Sequence, residues 1–208
     1  MKKLWDISPP VDTGSPVFPG DTPYQQAWTA QMTPDCAVNV SAITLSPHVG
    51  AHADAPLHYD PQGLPVGALG LTPFLGHCRV IHAVGAGPLV GLRHLAHALQ
   101  DLPARVLVRT CREFSLSKFD PQLTALEPEL IHRLADLGVQ LVGIDSASLD
   151  PADSQTLPSH QAMRERGLRV LENLYLDQVP EGDYELIALP LKLMAADASP
   201  VRAVLREL

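Results

Sequence analysis

The chain has 208 residues, 46% of them hydrophobic, enough for one buried core and matched to a single domain over 1–208. Its formal net charge of −8 at pH 7 repels phosphate backbones, which argues against nucleic acid and for a small-molecule substrate. No apolar run approaches the roughly 20 residues of a membrane span, so no membrane partner is expected.

Taken in chain order, Met1 to Asp6 starts as a secretory leader would, but the apolar stretch is missing and Pro9 and Pro10 follow. Pro9, Pro10, Pro16, Pro19, Gly20 and Pro23 read as turns between short N-terminal strands. Residues 38–45 are β-rich and partly alternating, hence a strand. Short apolar runs at 79–84, 105–109, 140–144 and 184–193 read as buried strands. Between them, 92–99 and 128–137 show three-and-four apolar spacing, and Gly138 stops the second helix. Strand and helix therefore alternate after residue 78, which predicts an α/β layer carrying extra proline-rich strands. No repeat or linker interrupts it.

The segment Pro47-His48-Val49-Gly50-Ala51-His52-Ala53-Asp54-Ala55-Pro56-Leu57-His58 carries the chemistry. Four polar side chains stand at even positions. In an extended chain they leave one face, while Val49, Ala51, Ala53, Ala55 and Leu57 pack on the other. A helix would rotate Asp54 away, and Gly50 and Pro56 oppose one. Imidazoles with a carboxylate are ligands for a divalent ion, a non-haem iron site included. A water on such an ion reaches a pKa of about 7, and a fourth group such as His58 has the intrinsic pKa to shuttle its proton. The plainer reading, unrelated structural histidines, suits His77, His82, His94, His97 and His132, with His94 and His97 on an exposed helix face. It suits the in-register set poorly.

That segment, through Tyr59, resembles the H-x-G-[TA]-H-x-D-x-P-x-H signature of the cyclase-like metal-dependent hydrolases, in the form of their bacterial kynurenine formamidase branch. Leu4-Trp5-Asp6-Ile7-Ser8 and Phe18-Pro19-Gly20-Asp21 are similar to the family's opening. Gly143-Ile144-Asp145-Ser146 and Leu157-Pro158-Ser159-His160 are similar to its later half. The resemblance implies a single-domain, mixed-sheet β/β/α fold of the swivelling, cyclase-like type. It implies two divalent ions, zinc with manganese as the alternative. His48, His52 and Asp54 would hold one ion, Asp54 would reach the second, and His160 and Glu172 would complete the pair with Glu172 bridging. Spacing alone yields neither of the last two. Gly167 breaks the helix between them, and unaided His160 reads as a helix-start residue and Glu172 as a surface charge. Phe18 matches a substrate-contacting aromatic, its alternative being a loop aromatic over the core. Asp145 either lines the site or ends a strand as a turn or cap residue.

The implied activity is hydrolysis of the formyl amide of N-formyl-L-kynurenine by hydroxide on the metal, with His58 as proton shuttle. Another amide or cyclic amide, or a non-catalytic metal sensor, is the competing assignment. A serine hydrolase would need G-x-S-x-G, and Asp145-Ser146-Ala147-Ser148 lacks the flanking glycines. Charged residues make up 18%, below the usual share of about 25%, which predicts a homodimer or higher homo-oligomer. Cys36, Cys78 and Cys111 are odd in number and form no C-x-x-C, which predicts free thiols in a cytoplasmic protein, Cys78 in the core.

Overall fold

Apolar runs in the second half of the chain build the centre of one mixed sheet. The structure, a computed structural model, describes residues 2–208. Among them run β1 (Leu4–Asp6), β2 (Gln25–Ala30), β3 (Val40–Thr44), β4 (His52–Asp54), β5 (Leu75–His82), β6 (Leu89–Val90), α1 (Leu92–Leu95), β7 (Arg105–Arg109) and β8 (Ala125–Leu126). There follow α2 (Pro128–Asp136), β9 (Leu141–Ile144), α3 (Pro158–Arg166), β10 (Arg169–Glu172), β11 (Gly182–Ile187), β12 (Ala198–Pro200) and β13 (Val204–Arg206). Nine strands form one sheet in the order β1-β13-β11-β5-β7-β9-β10-β4-β12. Its middle, β5-β7-β9-β10, is parallel, and antiparallel strands flank it on both sides.

Parallel strands are covered on both faces, so their sequences are continuously apolar. Leu107, Leu141 and Leu171 point into one core with Ile7 and Phe74, whereas Val106, Val108, Val142 and Val170 point into the other. That second core lies under α2 and α3, through Leu130, Ile131, Leu134, Ala162 and Met163. The mixed α/β sheet expected from the sequence is the one observed, and Cys78 is fully buried in it. No helix among the described residues is long and apolar enough to cross a membrane.

Several boundaries differ for physical reasons. The strand expected at 79–84 starts at Leu75, because Gly76 (φ +122°) and His77 interrupt its apolar pattern without interrupting its pairing with β11. The one expected at 184–193 ends at Ile187; Pro190, which has no N–H to donate, follows. The helix expected at 92–99 is one α-turn followed by a 3-10 turn, Ala96–Ala98. By contrast, α2 starts on a proline at its first turn and stops before Gly138 at φ +89°, as expected. The strand of 38–45 pairs with β2 as a ribbon separate from the main sheet.

Candidate metal centre

Two side chains come from the three residues of β4. The period of two puts His52 and Asp54 on one face and sends Ala53 into the opposite core. Alongside, β10 runs antiparallel with Glu172 opposite His52 and Val170 opposite Asp54, so Glu172 joins the same face. The extended chain expected across 48–58 must be corrected. Gly50 takes φ +70°, a left-handed conformation that bends the chain before β4, and a Cβ there would meet Val11 Cγ2 at 2.6 Å. After β4, Pro56–His58 is a 3-10 turn. His48 and His58 therefore reach the cluster through turns. Val49, Ala51, Ala53 and Ala55 are buried as expected, but Leu57 is only half-buried.

His160 arrives from a different element. Leu157, at φ +47°, turns the chain into α3, and Asp150 caps that helix by accepting the Ser159 and His160 N–H groups at 2.8 and 3.0 Å. Gly167 ends α3 in the left-handed region, as the sequence suggests, and β10 then carries Glu172 back to the cluster. Glu172 is 3% exposed, so the surface charge that its sequence context suggests is in fact buried.

The two carboxylates divide their oxygens between the imidazoles. Asp54 Oδ1 lies 3.2 Å from His48 Nδ1 and 3.3 Å from His52 Nε2, while its Oδ2 lies 3.4 Å from His160 Nε2. Glu172 Oε2 is 3.4 Å from His52 Nε2, and its Oε1 is 3.4 Å from His160 Nε2. The far nitrogen of each ring has its own acceptor. His48 Nε2 meets Asp197 Oδ2 at 3.0 Å, His52 Nδ1 meets the Gly50 carbonyl at 2.9 Å, and His160 Nδ1 meets Asp150 Oδ2 at 2.7 Å. In a neutral ring, the nitrogen that donates outward leaves a lone pair on the inward one. An acceptor behind each ring keeps the inward lone pair free for a cation shared with the carboxylates, which is how metal-ligating histidines are oriented.

An observation tests whether an ion fits. His52 Nε2 and Asp54 Oδ1 are buried, and neither has a hydrogen-bond partner. Each such orphan costs about 1–3 kcal/mol, and a cation between them would satisfy both. The electrostatics agree. Burial disfavours charge on His52, yet Asp54 and Glu172 outweigh it and push its imidazole up to about 10. Burial likewise opposes ionised Asp54, but the facing His160, His48 and His52 hold it well below the usual carboxylate range. The pocket thus favours positive charge, and a divalent ion replaces the protons that ligands must shed. His48, His52 and Asp54 each offer an atom within 4.8 Å of the others, as do Asp54, His58 and His160.

A cavity of about 350 Å³ opens beside His48. Phe18, Phe114, Phe119, Cys111, Asp145 and Asn173 are among its walls, and Phe18 meets Phe119 edge-on at 5.0 Å. Asp145 lines it with satisfied oxygens: they accept from Thr110 N and Oγ1 at 2.8 and 2.7 Å and from Cys111 N at 2.9 Å, fixing the end of β7.

These features coincide with a family. The profile of the putative cyclase family matches residues 5–151. A kynurenine formamidase of Paracidovorax citrulli (strain AAC00-1) is 67% identical, covering 99% of this chain and 97% of its own. The chain belongs to the cyclase family, in its kynurenine formamidase branch. A second kynurenine formamidase, of Delftia acidovorans (strain DSM 14801 / SPH-1), is 66% identical, with 100% and 99% covered. A solved structure described as a potential metal-dependent hydrolase with cyclase activity superposes with a TM-score of 0.85 at 28% identity, covering 100% of this chain and 99% of that one. As a member of the kynurenine formamidase branch the chain is an amidohydrolase, and its histidine–aspartate groups could bind a metal.

Two acids of this cyclase-family site were missed by sequence reasoning. Asp150 and Asp197 lie 10 and 149 positions from the histidines they contact, and no local motif marks either. Tyr59, adjoining the motif, was also passed over; its ring is 5.3 Å from that of His160. Of the histidines set aside, His77, His97 and His132 make outlying pairs with Asp183, Glu181 and Glu165. His82 bonds the Val179 carbonyl. His94 is half-buried, not exposed: its Nδ1 accepts the Gly91 N–H.

Proposed function

We propose that the chain hydrolyses the formyl amide of N-formyl-L-kynurenine to L-kynurenine and formate. The observation that carries this is the pair of buried carboxylates, each splitting its oxygens between imidazoles beside an aromatic-walled cavity. The substrate follows from the relatives' name. Two divalent ions, zinc before manganese, would be held by His48, His52, Asp54, His160 and Glu172, with Asp54 and Glu172 serving both. When bound, such ions polarise a carbonyl and make a water nucleophilic near neutral pH.

The chain's own residues supply the remainder. His58 lies at the edge of the cluster, 32% exposed at its side chain, beside Asp54 and His160. It takes the proton of the attacking water and returns it to the aniline nitrogen as the C–N bond breaks. The formyl carbon, now bearing the water oxygen, leaves as formate. Phe18 packs on the substrate ring. Purified protein should turn over N-formyl-L-kynurenine, and chelation should abolish that turnover. Phe18→Ala should raise KM roughly 2–10-fold at little cost to kcat, the size of one aromatic contact. Turnover that survives metal depletion would sink this function, and tightly bound metal with no turnover of any amide would favour the sensor.

The same reading places the chain in the cytoplasm, in keeping with three free cysteines, and assigns it to a homodimer. The β2–β3 ribbon stands off the sheet with Trp28, Met32, Val38, Val40 and Ile43 exposed on or beside it. A two-stranded ribbon is marginal alone, and an apolar patch of this kind marks an interface. Sedimentation equilibrium should give twice the 22.4 kDa chain mass; a monomer at micromolar concentration would refute it.

A further inference from the structure

We propose that Asp197 is a positioning residue that serves two histidines at once, setting the inward nitrogen of His48 and the free nitrogen of His58. The proposal rests on the hydrolase reading above. A single oxygen, Asp197 Oδ2, lies 3.0 Å from His48 Nε2 and 3.3 Å from His58 Nδ1. The two rings are neighbours, with centroids 4.3 Å apart. Both nitrogens that face this oxygen must donate to it. His48 then carries its lone pair on Nδ1, the atom 3.2 Å from Asp54 Oδ1. His58 carries its lone pair on Nε2, which becomes the nitrogen that accepts and returns a proton. Without an acceptor behind it, either ring could adopt the other tautomer or turn over.

The backbone holds the acid in place. Asp197 O accepts the Ala55 N–H at 2.8 Å, and the next residue, Ala198, pairs with Asp54 in the β4–β12 ladder. The strand register that aims Asp54 therefore aims Asp197 as well. Asp150 provides a contrast: it backs His160 but also caps α3, so its removal would disturb the fold. Among the described residues, the Asp197 carboxylate has hydrogen bonds or ion pairs with His48 and His58 alone. With a side chain 43% exposed, it can be removed without leaving a buried orphan charge.

The test uses Asp197→Ala and Asp197→Asn in the full chain, with zinc affinity measured by competition against a chelating dye and kcat and KM measured at saturating zinc. Loss of an acceptor behind a metal-bound imidazole weakens metal binding roughly 10–100-fold, and Asp197→Ala should show this with an unchanged melting temperature of the metal-free protein. At saturating zinc its kcat should remain down by about 10²-fold, the lower end of what proton shuttling contributes, with KM altered less than threefold. Asp197→Asn keeps an acceptor oxygen and should fall between. In a His58→Ala background, Asp197→Ala should cost no further kcat, because the two act through one nitrogen. Wild-type zinc affinity in Asp197→Ala, or a kcat wholly restored by zinc, or additive losses in the double variant, would overturn the proposal. Should the wild-type protein fail to hydrolyse formyl-kynurenine, the activity reading falls, while the zinc-affinity arm still decides what Asp197 does for His48.

Discussion

Asp54→Ala should leave the protein without bound metal and reduce kcat by about 10³-fold or more, since a bound ion contributes several kcal/mol of transition-state stabilisation at 1.36 kcal/mol per decade. Asp54 is the residue whose two oxygens face three imidazoles, His48 and His52 through Oδ1 and His160 through Oδ2. No single ligand elsewhere in the cluster could replace both contacts. Without it, Glu172 would be the sole inner carboxylate, and the field that favours a cation would weaken. Breaking a buried charge pair from one side also destabilises a fold by about 3–5 kcal/mol, so Asp54→Asn is the companion variant. It keeps the volume and one acceptor oxygen while removing the charge. Metal content by mass spectrometry, with circular dichroism to check folding, decides the matter. A folded Asp54 variant with normal metal content would end the bridging assignment.

How much of this was legible beforehand depends on the range of each interaction. The alternation of His52 and Asp54 is a property of three consecutive residues, and it survives as β4. Extending that alternation to His48 and His58 foresaw that the four groups would meet, but for a reason that holds only in part. The left-handed Gly50 and the turn begun by Pro56 replace strand geometry on either side. The central strands were legible because burial on both faces writes an unbroken apolar run, as in β7 and β9. Residues 75–77 were not, since backbone pairing with β11 needs no apolar side chain.

The other two proposed ligands lie beyond local reasoning. Glu172 gains its place from the β4–β10 register, and His160 from a helix capped by an acid ten residues earlier. Family resemblance named both before any spacing could. Asp150 and Asp197 had no such help, although the fold commits a buried carboxylate to one and a strand ladder to the other. A possible signal was their chemistry. Three inward histidines need three outward acceptors, and only Gly50 lies near enough in sequence to be guessed.

His58→Ala separates holding the metal from moving the proton. His58 differs from the other cluster histidines in burial: its side chain is 32% exposed, against 1% for His52 and 2% for His160. The only hydrogen-bond partner of its ring among the described residues is the half-exposed Asp197, so removing the ring leaves no buried atom orphaned. The variant should keep its fold and its metal. It should lose turnover by about 10²–10⁴-fold, the range that general acid–base groups contribute. The loss should fall on kcat, because the aniline nitrogen needs its proton only as the C–N bond breaks, and substrate binding does not use that proton. His58→Gln is a sharper version, since a carboxamide can hydrogen-bond but cannot relay a proton between water and amine. The competing role is specific. A His58 nitrogen also lies within 4.8 Å of ligand atoms of Asp54 and His160, close enough to share an ion with them. If His58→Ala lost metal as completely as Asp54→Ala, His58 would be a ligand, and the proton would have to travel through another group.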